Sequence, residues 1–228
     1  MKRGRESRPS LPDVSPESPW ERRRTTPTKS KVRNFKIHTS GWCESANSFR
    51  SPITSPCLLS QAHMKTLLLF RHAKSSWSNT TLNDHDRPLK KRGLKAAPRM
   101  GAVLRDTGLR PDLVLCSTAL RAKETWKLVQ VELPAGHLIP VTHSAALYHC
   151  ETAQFLTALA HVAEPAACVL IVGHNPDLET FLTQLTGESH RLPTAALVRL
   201  TLPLDRWSDL TETTRATIDA IWRPRELK

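Results

Sequence analysis

The chain has 228 residues, 39% of them apolar, and carries 33 Lys/Arg against 21 Asp/Glu for a net charge of +12. No apolar run approaches the ~18 residues of a membrane span, which excludes an integral membrane protein. Five cysteines, an odd number without close pairing, argue against a disulfide-stapled secreted domain.

The excess charge is uneven. Residues 1–63 hold 12 Lys/Arg and 5 Asp/Glu, and residues 64–228 hold 21 and 16. Residues 1–63 are expected to form a disordered basic extension. Pro, Ser, Thr and Arg dominate from Arg8 to Lys31, and no apolar period persists. Ordering such a stretch costs about 1–2 kcal/mol per residue in backbone entropy, with little to bury in return. Three readings of it are open. It binds nucleic acid or an anionic surface through Arg22, Arg23, Arg24, Lys29, Lys31, Arg33 and Lys36. It is an Arg- and Ser-rich transit peptide, against which its acids and prolines count. Or it lies upstream of a start at Met64, the favoured reading, because a strand begins immediately afterwards. No apolar stretch of secretory-signal type follows the basic start.

From Met64 a single domain is expected to run to residue 228. Lys65–Phe70 (KTLLLF) is a short apolar run fit for a buried parallel strand. A polar loop leads to Pro88. Leu89–Thr107 reads as a helix with Leu94, Ala97, Val103 and Leu104 on one side, started or kinked by Pro98. Leu113–Cys116 is a second strand, and Ala119–Val131 a helix carrying Leu120, Trp126 and Leu128. Pro140–His143 is a third strand, and Glu151–Val162 an amphipathic helix with Phe155, Leu156 and Leu159. Cys168–Val172 (CVLIV) is the most apolar strand. Pro176–Thr186 is a helix with Pro176 at its first position and Asn175 as cap. Ala195–Leu202 and Ala216–Trp222 are expected to be edge strands. Strands alternating with helices give an α/β layered sheet.

Two strand ends carry histidine: Phe70-Arg71-His72 and Gly173-His174-Asn175. In open α/β sheets ligands bind outside the carboxyl ends of the strands, so both imidazoles face one crevice. The strand ending at Cys116 runs into Ser117-Thr118-Ala119-Leu120-Arg121, which adds a second arginine on the first turn of a helix. Two Arg and two His from three strand ends suit a phosphoryl group, because guanidinium forks match phosphate oxygens and a helix N-terminus adds positive potential. A neutral imidazole is a competent nucleophile toward phosphorus, and neighbouring arginines disfavour the imidazolium. The second imidazole, if protonated, donates to the equatorial oxygens. No metal is required.

These residues resemble the histidine phosphatase superfamily, and within it the SixA-like phosphohistidine phosphatases. Arg71-His72-Ala73, continuing Lys74-Ser75-Ser76-Trp77, is similar to the Arg-His-Gly signature after the first strand. Asp86-Arg87-Pro88-Leu89 with Gly93 resembles the D-x-P-L-x-x-x-G element. Ser117–Ala122 with Glu124-Thr125 matches the segment of the second phosphate-binding arginine, and Val172-Gly173-His174-Asn175-Pro176 that of the second histidine. The resemblance spans about Met64 to Leu202. It implies a phosphoglycerate mutase-like fold, a three-layer α/β/α sandwich with a mostly parallel central sheet. It implies His72 as the phosphorylated nucleophile and Arg71 and Arg121 as phosphoryl ligands, with His174 completing the pocket. Ser75 and Asn175 join the substrate-binding set. No cofactor is implied. Ala73 stands where Gly is usual, and Lys74 where Glu is common.

No convincing general acid is visible; Asp84, Asp86 and Glu151 are candidates by position only. An alkoxide leaves poorly without a proton, whereas phosphohistidine expels a neutral imidazole once its other nitrogen is protonated. The expected function is therefore hydrolysis of protein phosphohistidine, or a related phosphoramidate, through a phosphohistidine enzyme intermediate. The short stretch from Thr142 to Glu164 leaves little room for a lid over a small substrate. The alternatives are a phosphatase for a small metabolite phosphate monoester and a non-catalytic phosphate-binding module.

The expected partner is a phosphorylated protein, with no membrane and no nucleic acid; the expected state is a monomer in the cytoplasm. The blander readings are specific too. Arg121 pairs with Glu124 on its helix. His137, His143 and His149, six residues apart, are surface or loop histidines, since no H-E-x-x-H or C-x-x-C accompanies them. Cys116 and Cys168 are small core residues. The Lys90-Lys91-Arg92 run is a solvated face that also has the charge to attract an acidic protein.

Overall fold

The computed structural model describes residues 64–134, 136 and 138–227. The expectations for residues 1–63 and for His137 lie outside that range.

Six strands form one sheet: Lys65–Arg71 (β1), Leu113–Ser117 (β2), Val141–Ser144 (β3), Cys168–Gly173 (β4), Leu197–Leu202 (β5) and Thr217–Trp222 (β6). The order across the sheet is β3-β2-β4-β1-β5-β6. The first four strands are parallel; β5 runs antiparallel to β1, and β6 to β5. Four helices cover it: Lys91–Asp106 (α1), Leu120–Gln130 (α2), Thr152–Ala160 (α3) and Asp177–Thr186 (α4).

The apolar run of β1 is continuous because both its faces are covered. Leu68 and Phe70 pack with Val114, Cys116, Leu170 and Val172 beneath α1 and α2. Leu67 and Leu69 pack with Leu115, Val169 and Ile171 on the other face, beneath α3 and α4. The result is the expected three-layer sandwich with a mostly parallel sheet.

Several local expectations need correction. Helix α1 begins at Lys91 and continues through Pro98, so Pro98 does not start it; its buried stripe is Gly93, Ala97, Met100, Gly101 and Leu104, not one that includes Leu94, which is exposed. Glycines set that stripe because the helix lies very close to its neighbours. A Cβ on Gly93 would sit 2.3 Å from the Lys74 carbonyl oxygen, and one on Gly101 2.5 Å from that of Val129. Strand β5 is not an edge; it is paired on both sides, and β6 alone takes that edge. At α4 the cap is Pro176 itself, and the Asn175 side chain turns elsewhere.

Register then fixes the chemistry. Arg71 pairs with Gly173 across β1 and β4, and Cys116 with Val172 across β2 and β4. The three carboxyl ends are therefore level, and the His72 N–H donates to the Gly173 carbonyl at 3.1 Å.

Candidate active site

His72, the first residue beyond β1, is 8% exposed. Its Nδ1 lies 2.7 Å from the Ala73 carbonyl oxygen. A carbonyl only accepts, so the ring proton sits on Nδ1 and Nε2 carries the lone pair. Arg121 Nε donates to that Nε2 at 3.3 Å. Burial is the main force depressing the His72 pKa, to about 3; Arg121, Arg71 and Arg87 add to it, and the Ala73 bond opposes. The imidazole is thus neutral at physiological pH, more by desolvation than by the arginines to which sequence reasoning gave the effect.

His174 follows β4 in the same way, 2% exposed, its ring centroid 4.9 Å from that of His72. Its Nε2 is 2.8 Å from Ser117 Oγ at the end of β2. The Ala119 N–H donates to that same Oγ at 3.3 Å. The other ring nitrogen of His174, Nδ1, is buried and has no partner among the described residues. Burial, then His72, Arg121 and His149, push its pKa down to about 2, against the pull of Asp84. Without a bound anion the second histidine is therefore held neutral.

Arg121 opens α2 and is 4% exposed. Besides His72 it grips Asp84, through the backbone carbonyl and, at 2.9 Å, the carboxylate. It does not pair with Glu124, whose carboxylate instead accepts the Leu89 N–H at 2.7 Å. Asp84 also accepts from Tyr148 Oη at 2.6 Å and from Arg87. Burial opposes its ionisation, yet Tyr148, Arg121 and Arg87 together hold its pKa below the usual carboxylate value. Asp84 is therefore held as the carboxylate partner of Arg121 and Arg87.

Arg71 is the last residue of β1. Its Nη1 donates to the Leu192 carbonyl at 2.6 Å, and its Nε is buried without a partner among the described residues. It lies close enough to depress the His72 pKa. Asn175 Nδ2 donates to the same Leu192 carbonyl at 3.0 Å, leaving its Oδ1 buried and without a partner among the described residues. The structure thus brings His72, His174 and Arg121 into direct contact, with Arg71 and Asn175 flanking them on the Leu192 side. The Ser75 hydroxyl is taken up by Arg87 and serves the loop instead of facing the histidines.

Sequence reasoning missed Arg87, Tyr148 and Ser117 as site residues. Arg87 is buried; it binds Asp84, Ser75 and the Ser76 carbonyl, and its guanidinium lies 3.3 Å over the Trp77 ring. Its place inside the Asp86-Arg87-Pro88-Leu89 motif was the available signal. The single tyrosine of the chain carried no signal until the fold brought it to Asp84 and His174. His149 is exposed, as read, yet its ring lies 6.2 Å from that of His174 and its φ is +51°. Such a φ is uncommon outside glycine and occurs where the surroundings hold it. Cys116, Cys150 and Cys168 are free thiols that burial pushes up to about 12, so none is a nucleophile here.

Chemically, this is a buried neutral imidazole with its lone pair on Nε2, beside guanidinium donors and a second imidazole. Known proteins carry the same arrangement of segments. Residues 67–155 match the family model of the histidine phosphatase superfamily, branch 1. The chain is 35% identical over 144 residues to an uncharacterized chloroplastic protein of Arabidopsis thaliana, covering 59% of this chain and 66% of that protein. It is 31% identical over 168 residues to an uncharacterized Mycobacterium leprae protein, covering 68% of this chain and 99% of the relative. Among solved structures, a Nakamurella multipartitia protein assigned as the phosphohistidine phosphatase SixA superposes with a TM-score of 0.61 at 27% identity, over 71% of this chain and 96% of that one. With the motifs in order, the sheet built as expected and a near full-length relative at this identity, the chain belongs to the histidine phosphatase superfamily.

Proposed function

We propose that this protein hydrolyses phosphohistidine, or a related phosphoramidate, on a protein, with His72 as the nucleophile. The observation that carries the reading is the state of Asp84. It is the carboxylate bound to the site's arginine, and three partners keep it ionised. Of the other candidates, Glu151 caps α3 and Asp86 is exposed beside His85. Among the described residues the site therefore offers a nucleophile and charge stabilisation but no acid to protonate an alkoxide.

A phosphoramidate does not need one. His72 Nε2 attacks phosphorus as the P–N bond to the substrate imidazole breaks, and that imidazole leaves neutral, its other nitrogen protonated. Arg121 and His174 flank the equatorial oxygens, and Arg71 adds positive potential. The charge appearing on the His72 ring is met by the Ala73 carbonyl at Nδ1–H. Water then attacks phosphorus, the His72 imidazole departs neutral, and dihydrogen phosphate is released.

The three free thiols fit a reducing compartment, and we assign the cytoplasm; secretion with the thiols oxidised would contradict this. The reaction is tested by comparing a phosphohistidine peptide with an alkyl phosphate monoester. The peptide should be turned over at least about 100-fold faster, the scale on which a missing general acid tells. Faster hydrolysis of the monoester would overturn the reading.

A further inference from the structure

A cavity of about 650 Å³ opens beside Arg71, between α1 and the segment after β6. Seven cationic side chains line it against a single carboxylate, Glu226. Three of the seven are committed locally: Arg71 donates to the Leu192 carbonyl, Arg99 to the carbonyls of Pro224 and Leu227, and Arg223 pairs with Glu226 at 3.4 Å. Lys74, Arg92, Lys95 and Arg225 have no side-chain partner among the described residues. Like charges gathered in one concavity raise the local potential by several kT and draw anions to it.

From this, and resting on the function proposed above, we infer that the cleft docks an acidic stretch of the substrate protein next to its phosphohistidine. Arg71 belongs to both places: it lines the cleft and adjoins His72 in the chain. A chain lying in the cleft is thereby led to the nucleophile. On α1, residues 92, 95 and 99 occupy the face turned away from the buried Ala97–Met100–Leu104 stripe and spread over about 10 Å of helix. That length suits several carboxylates in an extended segment and exceeds one phosphate. No aromatic side chain lines the cleft, so nothing is offered for bases to stack on. The basic residues 1–63 carry the wrong charge to fill it. Of the Lys90-Lys91-Arg92 run, Arg92 is the member that joins this surface.

The test uses two phosphohistidine peptides of equal length, one flanked by four Glu and one by four Gln, with the full-length protein and with R92E/K95E. Both substituted residues are exposed and lie outside the reacting groups. The wild type should show a kcat/KM about tenfold higher for the acidic peptide at low salt, with the preference fading at 0.5 M salt as screening shortens to about 4 Å or less. The double variant should lose the preference and keep its rate on the Gln-flanked peptide. Equal rates for the two peptides in the wild type, or a preference surviving charge reversal, would overturn the inference. Should neither peptide be hydrolysed, the function proposed above fails, and the cleft is judged by fluorescence anisotropy of a labelled, unphosphorylated acidic peptide. Binding that R92E/K95E abolishes supports docking. No binding, or stronger binding of tripolyphosphate or of a single-stranded oligonucleotide, contradicts it.

Discussion

The chemistry rests on where the His72 proton sits. The Ala73 carbonyl fixes it on Nδ1, and Arg121 Nε faces the lone pair on Nε2. Because Nε2 of His72 carries that lone pair, His72→Ala should reduce turnover by at least about 10³-fold while leaving the melting transition cooperative. Asp84 provides the sharper test. As an ion-pair partner it holds Arg121 and Arg87 in place, a task the amide of Asn performs in part. Asp84→Asn should therefore lower phosphohistidine turnover by less than about tenfold. A general acid lost at that position would cost about 10²–10⁴-fold. Steady-state rates of the purified variant distinguish the two.

The elements position these residues by register and close approach. Arg71 opposite Gly173 makes neighbours of two histidines about a hundred residues apart. The loop from Ala73 to Leu89 is pinned where α1 touches it at Gly93, and Lys90 N–H donates to the Lys74 carbonyl at 2.9 Å. A methyl at Gly93 collides with backbone that has no rotamer to escape to. Gly93→Ala should thus cost about 1–3 kcal/mol, read as a lower urea midpoint, with reduced activity from the displaced loop. The central strands were legible in sequence as short continuous apolar runs, Lys65–Phe70 and Cys168–Val172, and the helices as longer stretches between them. What was not legible depended on partners. Pro98 stays inside α1 because the helix packs through other residues, and β5 is central because β6 comes to cover it. His72 and His174 could be placed because each ends a strand. Arg87 and Tyr148 could not, since their roles exist only where the loop folds back on Asp84.

For the molecule as a whole, burying two neutral histidines couples stability to pH. Their folded pKa values, about 3 and about 2, lie below the 6.5 of an exposed histidine. Above 6.5 neither state binds these protons, and the stability contribution is full. As pH falls toward 3, the unfolded chain takes up protons that the native site refuses, so stability declines by up to about 1.4 kcal/mol per pH unit for each histidine. Urea midpoints should drop from pH 7 to pH 5, and His72→Asn should reduce that drop; an unchanged slope in the variant would refute the burial account. Charge is the other global property. The cationic cleft beside Arg71 gives the catalytic edge of the sheet a field that favours anionic substrates. All of this turns on His72 as the group that receives phosphorus. The direct measurement is to mix the protein with a labelled phosphoramidate, quench in alkaline denaturant, and map the label. Label on His72, absent from His72→Ala together with turnover, is the predicted result. Label on another residue, or undiminished turnover by His72→Ala, would contradict it.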